Sequence, residues 1–413
     1  MLLQHQWLKR KLKPLYFQGI SYGLHWALAG RGIIVKDKAF YNLKPSELQQ
    51  KGATSSGRIA VSSIFHSGSS ENCSLVTSHI SSISNVFVQD GAVGSSSKCD
   101  AKVRVISDNP SALLSFSNIL WKIPTRAVSH DSCPLTVYVA SSISPKTAEI
   151  IGLSSKANAG FLSADIEHSS LILCGKAFSD TNNVKTTLAA LADPVVSARG
   201  GLPLSARLLV SGDSVILLFA PEDIIKGCSD QLVSPDAGVL LSSHGVEPMF
   251  QTGDSSLPSL FKLPSAVIVA TADREIEVLK ILAEAYGVGD CMLITCSLPS
   301  ASKLLPGQAA YHFLAGYQKG KFVPAYINGP SALDPLELAK FLLSKLEDHE
   351  IPAFLINVGE GEKQLAGEEF VKLVQSTLLN GAPSLEPKDN KLRGKYQSFI
   401  SGKFHDLPEE FTF

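Results

Sequence analysis

Long apolar runs are missing from this sequence: none reaches the roughly 18 to 20 residues that a membrane-spanning helix requires. Charge is scarce too, at 18% of 413 residues, and it is balanced, with 37 basic side chains against 38 acidic ones. A chain without a cationic surplus is not built to neutralise a nucleic-acid backbone, so nucleic acid is not an expected partner. Cysteine is sparse and scattered (Cys73, Cys99, Cys133, Cys174, Cys228, Cys291, Cys296), odd in number and without a C-x-x-C. Neither a disulfide framework nor a zinc site follows from such spacing, and a reducing compartment is expected. There is no H-E-x-x-H and no G-x-S-x-G, so zinc hydrolysis and Ser-triad hydrolysis have no support. What is present is apolar material, 45% of the chain, enough for a sizeable core and too much for general disorder. Length and composition together predict a soluble α/β protein of two or three domain-sized units, or one large two-lobed one.

Lys9, Arg10, Lys11, Lys13, Arg31 and Lys36 all precede the first acid, Asp37. Residues 1–31 therefore read as a basic N-terminal extension lying outside the folded core. Such a bias suits an organelle presequence, but the stretch is poor in serine and carries Trp7, Tyr16 and Phe17. The cytoplasm is the expected location, with mitochondria as the alternative. Thr54–Lys98 is Ser-rich and Gly-punctuated, which predicts small strands and a flexible loop near Gly91–Lys98. Strand patterns follow at Lys102–Ile106, Leu135–Val139, Leu171–Cys174, Arg207–Val210 and Ser214–Phe219, with helical spacing over Ser111–Trp121. Beyond Ala266 strands and helices alternate: Ala266–Ala270, Arg274–Tyr286, Met292–Cys296, Pro306–Gly316, Leu336–Leu346, Phe354–Asn357, Glu368–Leu379. In the Leu336 helix Asp334 suits the cap and Pro335 the first turn, where its missing N–H is no loss. Leu336, Ala339, Leu342, Leu343 and Leu346 then line one stripe. Alternation of this kind predicts a mixed or largely parallel sheet covered by helices.

Several short patterns are chemically capable, and each has a plainer reading. Gly359-Glu360-Gly361 hints at a dinucleotide turn but lacks its third glycine, which leaves a strand-to-helix turn. Lys185-Thr186-Thr187 resembles the end of a phosphate loop, yet no glycine precedes it, and Val184–Leu191 reads as a helix. Asp165, Glu167 and His168 could ligate a metal or simply form a solvated loop. His312 reads as a packed helix residue. Ser242-Ser243-His244-Gly245 has no visible acid partner. Cys228, close to Lys226, is either a thiol of lowered pKa or an inert one. No residue is assigned a catalytic or metal-binding role from these patterns.

One segment carries more. Leu298-Pro299-x-x-Ser302-Lys303-Leu304-x-Pro306-x-Gln308-x-x-Tyr311-His312-Phe313-x-x-Gly316-Tyr317 resembles the ATP-dependent phosphoenolpyruvate carboxykinases, which read L-P-P-V-S-K-L, a Gln, then Y-H-F-x-x-G-Y. Tyr41-Asn42-Leu43-x-Pro45-x-Glu47-Leu48 resembles that family's N-L-x-P-x-E-L, and Lys102–Ser115 its V-R-V-x-x-x-x-P-x-x-x-L-F. The resemblance implies a bilobal α/β fold, with an N-terminal lobe at 32–201, a nucleotide-type lobe with a mixed sheet at 202–380, and a C-terminal tail at 381–413. It also implies the family's reaction, oxaloacetate plus ATP giving phosphoenolpyruvate, carbon dioxide and ADP with Mg²⁺ and Mn²⁺, a lyase step of gluconeogenesis.

The family's active-site motifs are not matched. Where it has G-x-x-G-T-G-K-T-T, this chain has Ala220-Pro221-Glu222-Asp223-Ile224-Ile225-Lys226-Gly227-Cys228, and only Lys226 corresponds. Its G-D-D-E-H metal motif falls at Ser242–Gly245, its paired lysines at Asn182 and Asn183, and its T-G-R-S-P at His66–Ser70. Phosphoryl transfer rests on positioning and on charge neutralisation by metal, lysine and backbone donors. The expectation is a carboxykinase-like pseudoenzyme with no catalytic residues, no metal ligands and no cofactor, Lys226 marking a vestigial nucleotide site. It would act by binding an unknown protein partner or a small ligand. The alternative is a divergent carboxykinase using ATP with Mg²⁺ and Mn²⁺.

Overall fold

The computed structural model describes residues 23–54, 70–123, 133–143, 161–165, 168–233, 238–252, 257–271, 300–318, 335–359, 365 and 367–385. The chain divides into two compact units: among the described residues, 23–199 with 249–252 form one, and 200–248 with 257–385 the other. Both are α/β. No helix among the described residues is long and apolar enough to cross a membrane.

In the first unit β1 (Lys38–Tyr41), β2 (Asn85–Val93), β3 (Ala101–Ser107), β4 (Leu135–Ala140), β5 (Phe161–Asp165) and β6 (Ser170–Cys174) form one sheet, ordered β1-β2-β3-β4-β6-β5. The β1–β2, β3–β4 and β4–β6 pairs are parallel; β2–β3 and β5–β6 are antiparallel. Strand period places Val88, Ile106, Tyr138 and Ile172 on one face, where they pack with Leu24, Leu28, Val76 and Ile80. The Pro110–Ser117 helix starts where Asn109 accepts from the Ser111 N–H at 2.8 Å and Pro110 fills the first turn. Asp180 caps the Thr181–Ala198 helix through the Asn183 N–H at 3.2 Å.

Three expectations for this unit are corrected. Ser70–Ser82 is a helix rather than small strands, because Val76 and Ile80, one turn apart, are both fully buried. Gly91 belongs to β2 rather than to a loop; a β-carbon there would sit 2.7 Å from the Leu120 side chain, so the strand needs a glycine to pack. Residues 1–31 do not all lie outside the core. Residues 23–29 are helical with Leu24, Ala27 and Leu28 buried, and Arg31 donates to Thr136 Oγ1 at 2.9 Å and the Cys133 carbonyl at 2.8 Å. Three-to-four spacing of apolar residues outweighed the local run of positive charge. Leu28→Ala is accordingly expected to lower unfolding free energy by about 2 to 5 kcal/mol, read from urea midpoints. A loss near zero would return this helix to the extension.

The second unit holds β7 (Leu202–Leu204), β8 (Arg207–Ser211), β9 (Ser214–Phe219), β10 (Val239–Ser242), β11 (Gly245–Pro248), β12 (Ala266–Thr271), β13 (Ala301–Leu304) and β14 (Ala353–Asn357). Five of them form a mixed sheet ordered β13-β14-β12-β9-β8, and β11-β10-β7 form a smaller antiparallel one. β14, β12 and β9 run parallel at the centre, flanked by antiparallel β13 and β8. Their residues alternate between two cores. Leu217, Phe219, Val267 and Val269 meet the Pro306–Gln318 and Pro335–Asp348 helices, while Ile216, Leu218, Ile268 and Ile356 meet Ile224, Phe370 and Val374. Burial on both faces explains why these strands read as continuous apolar runs. Phe313 is 1% exposed and meets Phe219 edge-on at 5.0 Å, so this residue of the matched segment serves core packing. The segment's Ser302-Lys303-Leu304 part is edge strand β13, which periodicity did not reveal. The tail boundary at 381 also moves, since the Leu385 N–H donates to the Lys303 carbonyl at 2.8 Å and the Lys303 N–H to that of Pro383 at 2.7 Å. Asp334, Arg274–Tyr286 and Met292–Cys296 lie outside the described residues.

Candidate functional site

The segment after β9 folds as a short helix, Glu222–Gly227, with Pro221 at its head. Glu222 and Asp223 stand in its first turn and Lys226 in its last, the arrangement that the helix dipole favours. Ile224 and Ile225 face the core. Lys226 Nζ lies 3.0 Å from Glu222 Oε1 one turn earlier, with the two side chains 73% and 59% exposed. Its charge is answered by a carboxylate at the surface, an interaction of only a few tenths of a kcal/mol. None of the positive-φ residues of the described chain falls within Ala220–Cys228. Gly227 meets the first residue of the Gly367–Asn380 helix so closely that a β-carbon on Gly367 would overlap the Gly227 carbonyl. The glycines here bring two helices together. Cys228 is 1% exposed and donates to the Ile224 carbonyl at 3.1 Å; burial pushes its thiol up, so the lowered-pKa option is corrected.

The remaining expected positions are mostly structural. Ser242 and Gly245 pair across the β10–β11 hairpin, and the Phe261 carbonyl occupies the space of a Gly245 β-carbon. Asn183 Nδ2 donates to Asp180 Oδ2 at 2.8 Å, and the Thr186 and Thr187 hydroxyls donate to the Asn182 and Asn183 carbonyls, each at 2.9 Å. Lys185-Thr186-Thr187 is thus helical, as expected. The Gly359 N–H donates to Asn357 Oδ1 at 3.1 Å, in a turn with φ +68°. Glu360, Gly361, Glu167 and His66–Ser69 lie outside the described residues. His312 is buried in its helix, and desolvation lowers its pKa to about 4, so it stays neutral. Among the described residues no cluster of three or more His, Cys, Asp or Glu is placed to hold a metal ion.

The first unit contains a polar row that sequence reading missed. Strand register sets Asp90 opposite Arg104, Arg104 beside Thr136, Thr136 beside Ser170, and Ser170 opposite Asp165. Register partners point to the same face, so five polar side chains cross the sheet in one line at the end of its apolar core. Arg104 is fully buried and grips Asp90 with two bonds of 2.7 Å, while the Tyr41 hydroxyl donates to the same carboxylate at 2.7 Å. At the other end Asp165 takes two donors from His168, the N–H at 3.0 Å and Nδ1 at 2.8 Å. Of its members only Asp165 stood out in the sequence; the others are ordinary polar positions within their strands. Elsewhere in the unit Asp108 is clamped by the Ser141 and Ser142 N–H groups, at 2.9 and 2.8 Å, and by His79 Nε2 at 3.2 Å. Burial works against its charge, but these donors outweigh it and hold the carboxyl below its usual range.

No family model matches the chain. It is 29% identical over 164 residues to a protein of Bradyrhizobium sp. (strain ORS 278) named phosphoenolpyruvate carboxykinase (ATP), covering 35% of this chain and 29% of that one. Proteins of the same name from Flavobacterium johnsoniae and Kluyveromyces lactis are 37% identical over 75 residues and 32% over 123. Those matches cover 15% and 25% of this chain, and 14% and 20% of the relatives. The chain thus spans less than a third of the length of the curated relatives it matches. Several such partial matches support a carboxykinase-like relationship.

Proposed function

We propose that this chain is a phosphoenolpyruvate carboxykinase-like protein that does not perform the carboxykinase reaction and acts by binding, in the cytoplasm. The reading includes a bilobal carboxykinase-type arrangement with Lys226 as the remnant of a nucleotide site. One observation supports it above the others: Glu222–Gly227 is helical, with Lys226 turned to Glu222 at 3.0 Å. A phosphate cradle needs successive N–H groups pointing inward, which glycines permit. Here a proline removes one donor and two carboxylates oppose the triphosphate. Neither Mg²⁺ nor Mn²⁺ nor ATP is part of this reading, and its partner is a protein or a small ligand.

The expected result is that Mg-ATP binds weakly, near millimolar or about −4 kcal/mol, by calorimetry. Lys226→Ala should change that affinity little, and a coupled assay should find no phosphoenolpyruvate made from oxaloacetate. Micromolar ATP binding abolished by Lys226→Ala, or metal-dependent turnover, would instead establish a divergent ATP-dependent carboxykinase.

A further inference from the structure

An open cavity of about 760 Å³ lies in the first unit at the Thr136–Ser170–Asp165 end of the polar row. That size falls within the range of small-molecule sites. Its lining includes Arg31, Thr77, Thr136, Asp165, His168 and Ser170, from the N-terminal helix turn, the Ser70–Ser82 helix and three strands. The carboxykinase-like reading assigns none of these residues a role, and the inference does not depend on it.

Each group has a defined task. Arg31 is held against the wall by its bonds to Thr136 Oγ1 at 2.9 Å and the Cys133 carbonyl at 2.8 Å. Burial first, and then the charge of Arg104, lower its pKa, so an anion brought beside it relieves both effects. At the other side Asp165 fixes the His168 ring through Nδ1 at 2.8 Å, leaving Nε2 on a side chain that is 65% exposed. The Ser170 hydroxyl is buried with no hydrogen-bond partner among the described residues. A carboxylate such as Asp165 only accepts hydrogen bonds, so the ligand group facing it must donate. One cation with one carboxylate does not suit a polyphosphate, whose charges Asp165 would repel.

We propose that this cavity binds a small organic acid with one carboxylate and a separate hydroxyl or amino group, the carboxylate on Arg31 and the donor group on the Asp165–His168 pair. Calorimetry on the full chain with acetate, lactate, L-serine and inorganic phosphate tests it. Lactate or L-serine should bind saturably, at least about tenfold tighter than acetate or phosphate. Lactate alone would identify a hydroxy acid, L-serine alone an amino acid. His168→Ala, at an exposed position that leaves the fold intact, should erase that advantage over acetate. Arg31→Gln should abolish binding of every carboxylate. Because Arg31 also braces Thr136, circular dichroism must first show that variant folded; if it is not, His168→Ala alone decides. No saturable binding at about 10 mM probe, phosphate binding as tightly as lactate or L-serine, or an advantage that survives His168→Ala would each overturn the proposal.

Discussion

Asp90→Ala is expected to destabilise the protein by about 3 to 5 kcal/mol, because it strands a fully buried guanidinium. Arg104 is 0% exposed, and two bonds of 2.7 Å tie it to Asp90. Removing the carboxylate leaves that cation without its counter-charge in a region of low dielectric, and it deprives the Tyr41 hydroxyl of its acceptor at 2.7 Å. Replacing both members of the pair by apolar residues of similar volume should recover much of the loss, since the penalty lies in the uncompensated charge. Urea unfolding of wild type, Asp90→Ala and Asp90→Leu/Arg104→Met measures both effects. A loss below about 1 kcal/mol in the single variant would mean that water or another anion reaches Arg104.

Asp193→Asn should act in the opposite direction, and only above acidic pH. Asp193 is 1% exposed, within the Thr181–Ala198 helix, and both carboxylate oxygens lack a partner among the described residues. Burial raises its pKa from 3.8 to about 7. The folded state therefore holds a proton that the unfolded chain has already released between these values. Its contribution is fully present below about pH 4 and is lost as pH rises through 7. An asparagine keeps the neutral shape at every pH. The variant should match wild type near pH 4 and exceed it by up to about 4 kcal/mol at pH 8, at about 1.4 kcal/mol per pKa unit. Unfolding midpoints of the two proteins at both pH values provide the test. A stability difference that does not change with pH would show that Asp193 is ionised in the fold with a counter-charge of its own.

What was legible in the sequence depended on how far apart the deciding residues lie. The Pro335 helix, the alternating strands of the second unit and the helical reading of Lys185-Thr186-Thr187 all follow from neighbours within one or two turns. The Ser70–Ser82 helix was hidden because its apolar stripe is short, Val76 and Ile80 standing among serines. The helix at 23–29 was hidden behind a charge bias carried mainly by residues before it.

The sequence by itself determined that Ala220–Cys228 is not a glycine loop, because backbone freedom is a property of the residues occupying it. It equally determined two-sided burial of β9 and β12, since an unbroken apolar run must be covered on both faces. Only the tertiary structure decided what Asp90, Arg104, Thr136, Ser170 and Asp165 do. These residues run from position 90 to position 170, each on a different strand of the sheet. Side chains alternate with period two, so slipping one strand by a single residue would turn its member of the row to the opposite face. Register is set by burial of the whole sheet, and that is why the row, and the cavity at its end, exist only in the folded chain.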